Sequence, residues 1–196
     1  MSPEFQELNA ASIAEVVTRI AALEPRLGAC VLIAIDGRSC SGKTTLAAEL
    51  EDALGATVVH LEYLYHGWDG LEAGIETAVS HVLEPMSRGE TAVVPQWDWV
   101  AGGWGEPVDV AVPSVLILEG VGAASASVRE CASLTIWLEL PEPDRRVRAQ
   151  ARDWDTFAEY WDDWAAQEDR LFASELLPDS ADLVLVGENA TVSDSS

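Results

Sequence analysis

Lysine occurs once in these 196 residues, at Lys43. Lysine and arginine together number 11 against 34 aspartates and glutamates, a formal net charge of −23. A chain so short of cations is not expected to bind nucleic acid generally or to dock on anionic lipid, because both need a basic surface. A blander source of the acidity also stands: lysine-poor, alanine-rich chains arise from genomic composition or a salty cytoplasm. Cysteine is scarce too, and Cys30, Cys40 and Cys131 are too scattered for a disulfide framework or a zinc cluster. Three isolated histidines do not make a metal site. No apolar run approaches the roughly 18–20 residues that span a bilayer. The opening MSPEFQELNA has neither a basic n-region nor an apolar h-region, so no signal peptide is expected. The sequon Asn189-Ala190-Thr191 is then a chance match, and the cytoplasm is the expected compartment.

What remains is ample for a core. At 48% hydrophobic and 23% charged, the chain has the composition of a folded domain, and its length suits one. Leu8, Ile13, Val16, Val17, Ile20 and Leu23 recur at helical spacing, predicting a first helix over 6–24 that Pro25 and Gly28 end. Val31 to Ile35 is a short continuous apolar run, the pattern of a strand buried on both faces of a parallel sheet. A glycine-bearing loop follows, then a helix from Thr44 to Leu54 closed by Gly55. Further strands are predicted at 57–61, 92–94, 115–118, 134–140 and 183–186, with a helix over 71–86. This alternation predicts an α/β domain with a parallel sheet of about five strands flanked by helices, and no internal repeat is found. The expected organisation is an N-terminal helix within 1–28 packed on the core, the main domain over 29–187 and a flexible polar tail over 188–196.

The sharpest signal is the loop. Gly37-Arg38-Ser39-Cys40-Ser41-Gly42-Lys43-Thr44 satisfies G-x-x-x-x-G-K-[ST], between a predicted buried strand and a predicted helix. Glycines at both ends let the backbone curl so that successive N–H groups face phosphate oxygens, and the helix N-terminus adds its dipole. Lys43 would reach the β- and γ-phosphates and the Thr44 hydroxyl would ligate Mg²⁺, with Thr45 closing the binding segment. With no second lysine, the Asn/Thr-Lys-x-Asp guanine-reading motif of Ras-type GTPases cannot be built.

Ile33-Ala34-Ile35-Asp36-Gly37-Arg38-Ser39 leading into Ser41-Gly42-Lys43-Thr44-Thr45-Leu46-Ala47 resembles the uridine kinase-like branch of the P-loop kinases, in element order over about 29–187. Four further segments are similar. Glu62-Tyr63-Leu64-Tyr65 resembles the family's Asp-x-Phe-Tyr, whose carboxylate takes the proton from the acceptor hydroxyl. Pro95-Gln96-Trp97-Asp98-Trp99 resembles Pro-x-Tyr-Asp-Phe, which helps hold the nucleoside. Leu116 to Gly120 resembles the strand ending in Glu-Gly that faces the loop, and Pro143 to Asp153 the arginine-bearing lid. The resemblance implies ATP and Mg²⁺ as cofactors and a nucleoside as acceptor. Glutamate at 62, Tyr63 and Trp97 depart from the family pattern, and they touch the acceptor more than the reaction.

Arg145, Arg148 and Arg152 fall at i, i+3 and i+7, one helix face on which three guanidiniums suit a lid over phosphates; Arg146 lies beside them. Glu62 ends a predicted strand, where open α/β sheets place ligands, and suits either a general base or an orienter of hydrated Mg²⁺. Glu119 suits an outer-sphere Mg²⁺ contact. Asp36 reads as structural. Between Thr45 and Val128 the only basic residue is Arg88, so the acceptor region favours an uncharged acceptor over a nucleotide. Trp68, Trp97, Trp99 and Trp104 could stack on a flat base, Asp69 or Asp98 could bond a ribose or base edge, and His66 could touch substrate. Trp154, Phe157, Trp161, Trp164 and Leu171 read as a core stripe, and His60 and His81 as structural. The reading is an ATP- and Mg²⁺-dependent kinase of a hydroxyl on a nucleoside-like small molecule. A kinase of another hydroxyl metabolite or of a nucleotide, and a regulatory ATP-binding module, stay open, as does the oligomeric state.

Overall fold

A computed structural model describes residues 3–152 and 157–187; Asp153, Trp154 and the 188–196 tail lie outside them. Its centre is a six-stranded, all-parallel sheet. The strands are β1 (Glu4–Glu7), β2 (Val31–Asp36), β3 (Thr57–His60), β8 (Val115–Glu119), β9 (Leu134–Glu139) and β10 (Leu183–Val186), in the order β1-β10-β9-β2-β8-β3. All six residues of β2 are buried, because helices cover both faces of the sheet. Leu32 and Ala34 join one apolar cluster with Leu71, Ile75 and Phe172, while Val31, Ile33 and Ile35 join another with Val16, Ile20, Leu46 and Leu50. The period-2 alternation of one strand thus feeds two layers of core.

Helix α1 (Ala10–Ala21) and α2 (Lys43–Leu54) lie on the second face. α1 starts later than its apolar spacing suggests, because Asn9 caps it: Asn9 Oδ1 accepts from the Ala11 and Ser12 amides, and Ser12 Oγ accepts from the Asn9 amide. The residues before the cap form β1, the sixth strand, which the sequence pattern missed because Glu4–Glu7 is a mostly exposed edge. On the first face, α3 (Leu71–Ala78) runs through a π turn (Val79–Leu83) into α4 (Glu84–Ser87) just before Pro85, which has no N–H to continue the ladder. Short α5 (Ala126–Arg129) follows β8, α6 (Glu142–Arg152) follows β9, and α7 (Trp161–Glu175) precedes β10.

One predicted strand falls outside the central sheet. Residues 92–94 form β4 (Ala92–Val94), antiparallel to β7 (Val108–Val110), enclosing the small hairpin β5 (Trp97–Asp98) and β6 (Gly103–Trp104). Ala92 and Val94 are buried while Val93 faces solvent, a one-sided alternation unsuited to a doubly covered parallel sheet.

Asp36 at the end of β2 binds the loops that follow β2 and β8. Its carboxylate accepts from the amides of Gly37 at 2.7 Å, Gly122 at 2.9 Å and Ala124 at 2.8 Å. Complete burial raises its pKa from 3.8 to about 6, against the opposing pull of those amides and Lys43. The folded protein therefore holds the proton more tightly than the unfolded chain, and this contribution to stability is lost as pH rises from about 4 to about 6. The unfolding free energy of the wild type minus that of Asp36→Asn should accordingly decline across this window, as denaturant titrations at successive pH values would measure.

Candidate active site

The loop from Gly37 to Thr44 crosses from β2 to α2 and bends on its glycines. Gly37 has φ +146°, and a Cβ there would lie 2.4 Å from the Leu138 carbonyl oxygen, so no other residue fits. Lys43 is buried, with Nζ donating 3.0 Å to the Arg38 carbonyl across the loop. The Thr44 hydroxyl donates 3.1 Å to Glu119 Oε1 at the end of β8, and His60 Nδ1 lies 2.6 Å from the same oxygen. That hydrogen bond to Glu119 raises the His60 pKa, partly offset by burial. His60 is thus a partner of the site, where sequence reasoning assigns it to structure alone.

A hydroxyl and a carboxylate converging beside a phosphate loop are hard oxygen donors. Mg²⁺ takes one or two such protein ligands and completes its octahedron with phosphate oxygens and water, so Thr44 and Glu119 fit it. Among the described residues no group of three His, Cys, Asp or Glu side chains could hold a metal unaided.

The arginines of α6 reach the loop from outside. Arg145 is buried, donating from Nη1 to the Ser39 carbonyl at 3.2 Å and from Nε to the Leu140 carbonyl at 3.1 Å. Arg148 Nη1 donates 3.1 Å to the Ser41 carbonyl. In this structure both guanidiniums hold loop carbonyls. Arg152 lines open space in front of the loop, and Arg146 lies at Glu142, Asp162 and the Trp161 ring. Arg38 turns away from the loop's interior toward α7, with Nη2 at 2.7 Å from Asp169 and its guanidinium over the Phe172 ring.

Two cavities meet at the loop. One, of about 710 Å³, is lined by Cys40 to Leu46, Arg148, Arg152 and Gly187, together with Leu8, Asn9, Ala10 and Ile13 from the N-terminal segment. The other, of about 300 Å³, is lined by Ser39, Lys43 and Thr44 of the loop, by Glu62, Glu119 and Arg152, and by Tyr65, Trp68, Trp99, Phe157 and Trp164. Cys40, Lys43, Thr44 and Arg152 border both.

Some predicted acceptor residues are thus brought together and others are not. Glu62 and Trp68 line the smaller cavity. Tyr65 does also, but its hydroxyl is committed to the Val121 carbonyl at 2.9 Å. Burial, with nearby Asp36 and Glu119 next, raises its pKa well above 10. Asp69 is exposed and outside the lining. Trp97 and Asp98 belong to the hairpin: Trp97 packs on His66 and Trp104, and Asp98 Oδ1 accepts from the Val100 and Ala101 amides to shape the turn. Trp99 is the aromatic of that segment that reaches the cavity, with its indole N–H on the Glu62 carbonyl at 3.0 Å. The stripe residues Trp161, Trp164 and Leu171 are buried, and Trp164 serves the cavity wall as well. Glu168, four residues beyond Trp164 on α7, escapes sequence reasoning although it is buried and bonded to Ser39. The available signal is a lone acid at an apolar-stripe position, i+4 from Trp164.

A parallel sheet whose central strand runs into a glycine-framed loop, with an acid ending the neighbouring strand, defines the α/β fold of the P-loop kinases. No family model matches the chain. Among curated proteins, a uridine kinase from Mycoplasma pneumoniae is 27% identical over 145 residues, covering 64% of this chain and 68% of that protein. Among solved structures, a possible uridine kinase from Bacillus stearothermophilus superposes with a TM-score of 0.65 at 20% identity, over 89% of this chain and 97% of that one. A candidate fructose transport system kinase from Silicibacter sp. TM1040 gives 0.61 at 22% identity, over 91% and 99%. These likenesses support the uridine kinase-like branch of the P-loop kinases, the resemblance carried by the motifs.

Gly37 tests the geometry most simply. Gly37→Ala must displace either the loop or the end of β9, so it should lower unfolding stability by about 2 kcal/mol or more and weaken nucleotide binding in parallel. Denaturant midpoints and nucleotide titration would measure both.

Proposed function

We propose that this protein is an ATP-dependent kinase that transfers the γ-phosphate to a hydroxyl of a neutral, nucleoside-like small molecule. The observation that carries this reading is the meeting of two cavities at Lys43 and Thr44, one of them holding Glu62 and an aromatic wall. The larger cavity takes the nucleotide, with its phosphates on the loop amides and Lys43. Mg²⁺, when bound, neutralises charge on the phosphates. Thr44 and Glu119 would hold it, with His60 orienting Glu119. Arg152 borders both cavities and suits the charge that develops on the transferring group. Arg145 and Arg148 support the loop that does the binding, and their part in clasping phosphate belongs to a closed lid. Glu62 accepts the proton of the acceptor hydroxyl, a role its place in the lining of the cavity shared with Lys43 and Thr44 allows. Amino-acid composition and the mapped charge suit a protein of the cytoplasm that binds neither nucleic acid nor membrane. In the structure no helix among the described residues is long and apolar enough to cross a bilayer.

The acceptor follows from charge and shape. The cations lining the smaller cavity, Lys43 and Arg152, both border the larger one as well, and Arg88 is exposed on a remote turn with Glu90 as its partner. A nucleoside monophosphate would bring about two negative charges to a cavity whose two cations, Lys43 and Arg152, are shared with the donor phosphates. The wall of Trp68, Trp99, Phe157 and Trp164 is aromatic, and stacking on such rings is worth about 1–3 kcal/mol per base in single-strand binders. In contrast, a regulatory ATPase would have no need of an aromatic acceptor cavity beside the loop.

An ADP-release screen across nucleosides, nucleoside monophosphates and vitamin precursors, with mass detection of the product, tests the reading. Neutral nucleosides should support turnover, and their monophosphates should be poorer by about 10²-fold or more, since misplaced like charge costs several kcal/mol. ATP consumption independent of every acceptor would contradict it. In the same assay Lys43→Ala should abolish turnover. Glu62→Gln should lower kcat by ~10²–10⁴-fold, whereas near-normal turnover would leave Glu62 only the role of orienting Mg²⁺.

A further inference from the structure

Glu168 is 1% exposed, on the face of α7 that lies under the loop. Its Oε1 accepts from the Ser39 amide at 2.8 Å, the Ser39 hydroxyl at 2.8 Å and the Trp164 indole N–H at 3.1 Å. Its Oε2 faces Arg38 Nη1 at 3.5 Å. Ser39 belongs to the phosphate loop, whereas the Trp164 ring is part of the acceptor wall, packed edge-on against Tyr65 at 5.1 Å and Trp68 at 6.1 Å. One carboxylate oxygen therefore ties the two substrate sites together. From the other side, Arg145 takes the Ser39 carbonyl, so both backbone polar groups of Ser39 are fixed by side chains outside the loop.

We propose that Glu168 is a positioning residue through which the acceptor wall sets the shape of the donor loop. The inference rests on the reading of the loop as the donor site and of the aromatic cavity as the acceptor site. Its physical basis is that a buried carboxylate is tolerated only while its lone pairs are filled. Three donors share Oε1, and each depends on the others staying in place. Removing the Trp164 N–H leaves that oxygen short of a donor and lets the carboxylate shift, so the Ser39 amide loses its fixed partner and the loop its fixed curvature. In the reverse direction, a ring stacked on Trp164 holds the indole, the carboxylate and the loop in one arrangement. Binding at the two sites is then coupled without any contact between the ligands.

The test uses the full chain with Mg²⁺ and the non-hydrolysable ATP analogue AMP-PNP, in the absence of any acceptor, followed by titration calorimetry. Trp164→Phe keeps an aromatic ring on the wall and removes the N–H together with the rest of the five-membered ring. It should weaken AMP-PNP binding about 3–10-fold, and Glu168→Gln should weaken it about 10-fold or more. The double variant should be no more than about twofold weaker than Glu168→Gln, because the indole acts through the carboxylate alone. A purely structural role would lower the unfolding midpoint and give effects that multiply in the double variant. Unchanged affinity in Trp164→Phe, or multiplying effects, overturns the coupling while leaving the donor site in place. Failure of the wild type to bind Mg²⁺ and AMP-PNP overturns the donor-site reading, and the coupling falls with it. If Glu168→Gln does not fold, the affinity of Trp164→Phe decides alone.

Discussion

A loop that offers bare backbone N–H groups to an anion has to be held in that shape by something behind it. The rest of this structure depends on that constraint. From Gly37 to Ser41 the loop is held at successive points: the Gly37 amide by Asp36, the Ser39 amide by Glu168, the Ser39 carbonyl by Arg145 and the Ser41 carbonyl by Arg148. These anchors come from separate parts of the chain, from β2, α7 and α6. Strand β2 and helices α6 and α7 therefore converge on a few peptide groups, and the site inherits its precision from the core. Preorganisation of this kind suits phosphoryl transfer, where the protein contributes chiefly position and electrostatics.

The charge distribution follows the same logic. Arg38, Lys43, Arg145, Arg146, Arg148 and Arg152 are six of the 11 basic residues in a chain of net charge −23. Proximity to the loop does not give them one role. Arg145 and Arg148 brace it from outside and Arg38, itself in the loop, ties it to α7, whereas Lys43 and Arg152 border the cavities where phosphates would lie. Acidic side chains answer them on both sides of the loop, with Glu119 in front and Glu168 behind.

The parts legible in the sequence are those encoded locally. The apolar run Val31–Ile35, the glycines and lysine of the loop and the acid at 119 are contiguous patterns, and the structure assembles them as one site. What could not be read depends on partners distant along the chain. Nothing in Glu4–Glu7 says that it will pair with Leu183–Val186, since an exposed edge strand carries no apolar signature. Trp97 and Trp99 are two residues apart and chemically alike. The hairpin sends one to the His66 side and the other to the cavity, and only the pairing of Trp97 with Trp104 settles which is which. Glu168 reads in sequence as one more acid on a heavily acidic helix, and only its burial beneath Ser39 sets it apart.

The central claim is that the loop's nucleotide gives its phosphate to a hydroxyl in the aromatic cavity and not to water. Phosphorus NMR of the wild-type protein turning over ATP and Mg²⁺ with a neutral nucleoside would follow both fates at once. The account predicts a phosphate-monoester resonance that grows in step with ADP while inorganic phosphate stays flat. Inorganic phosphate rising one-for-one with ADP, with no ester formed, would contradict it.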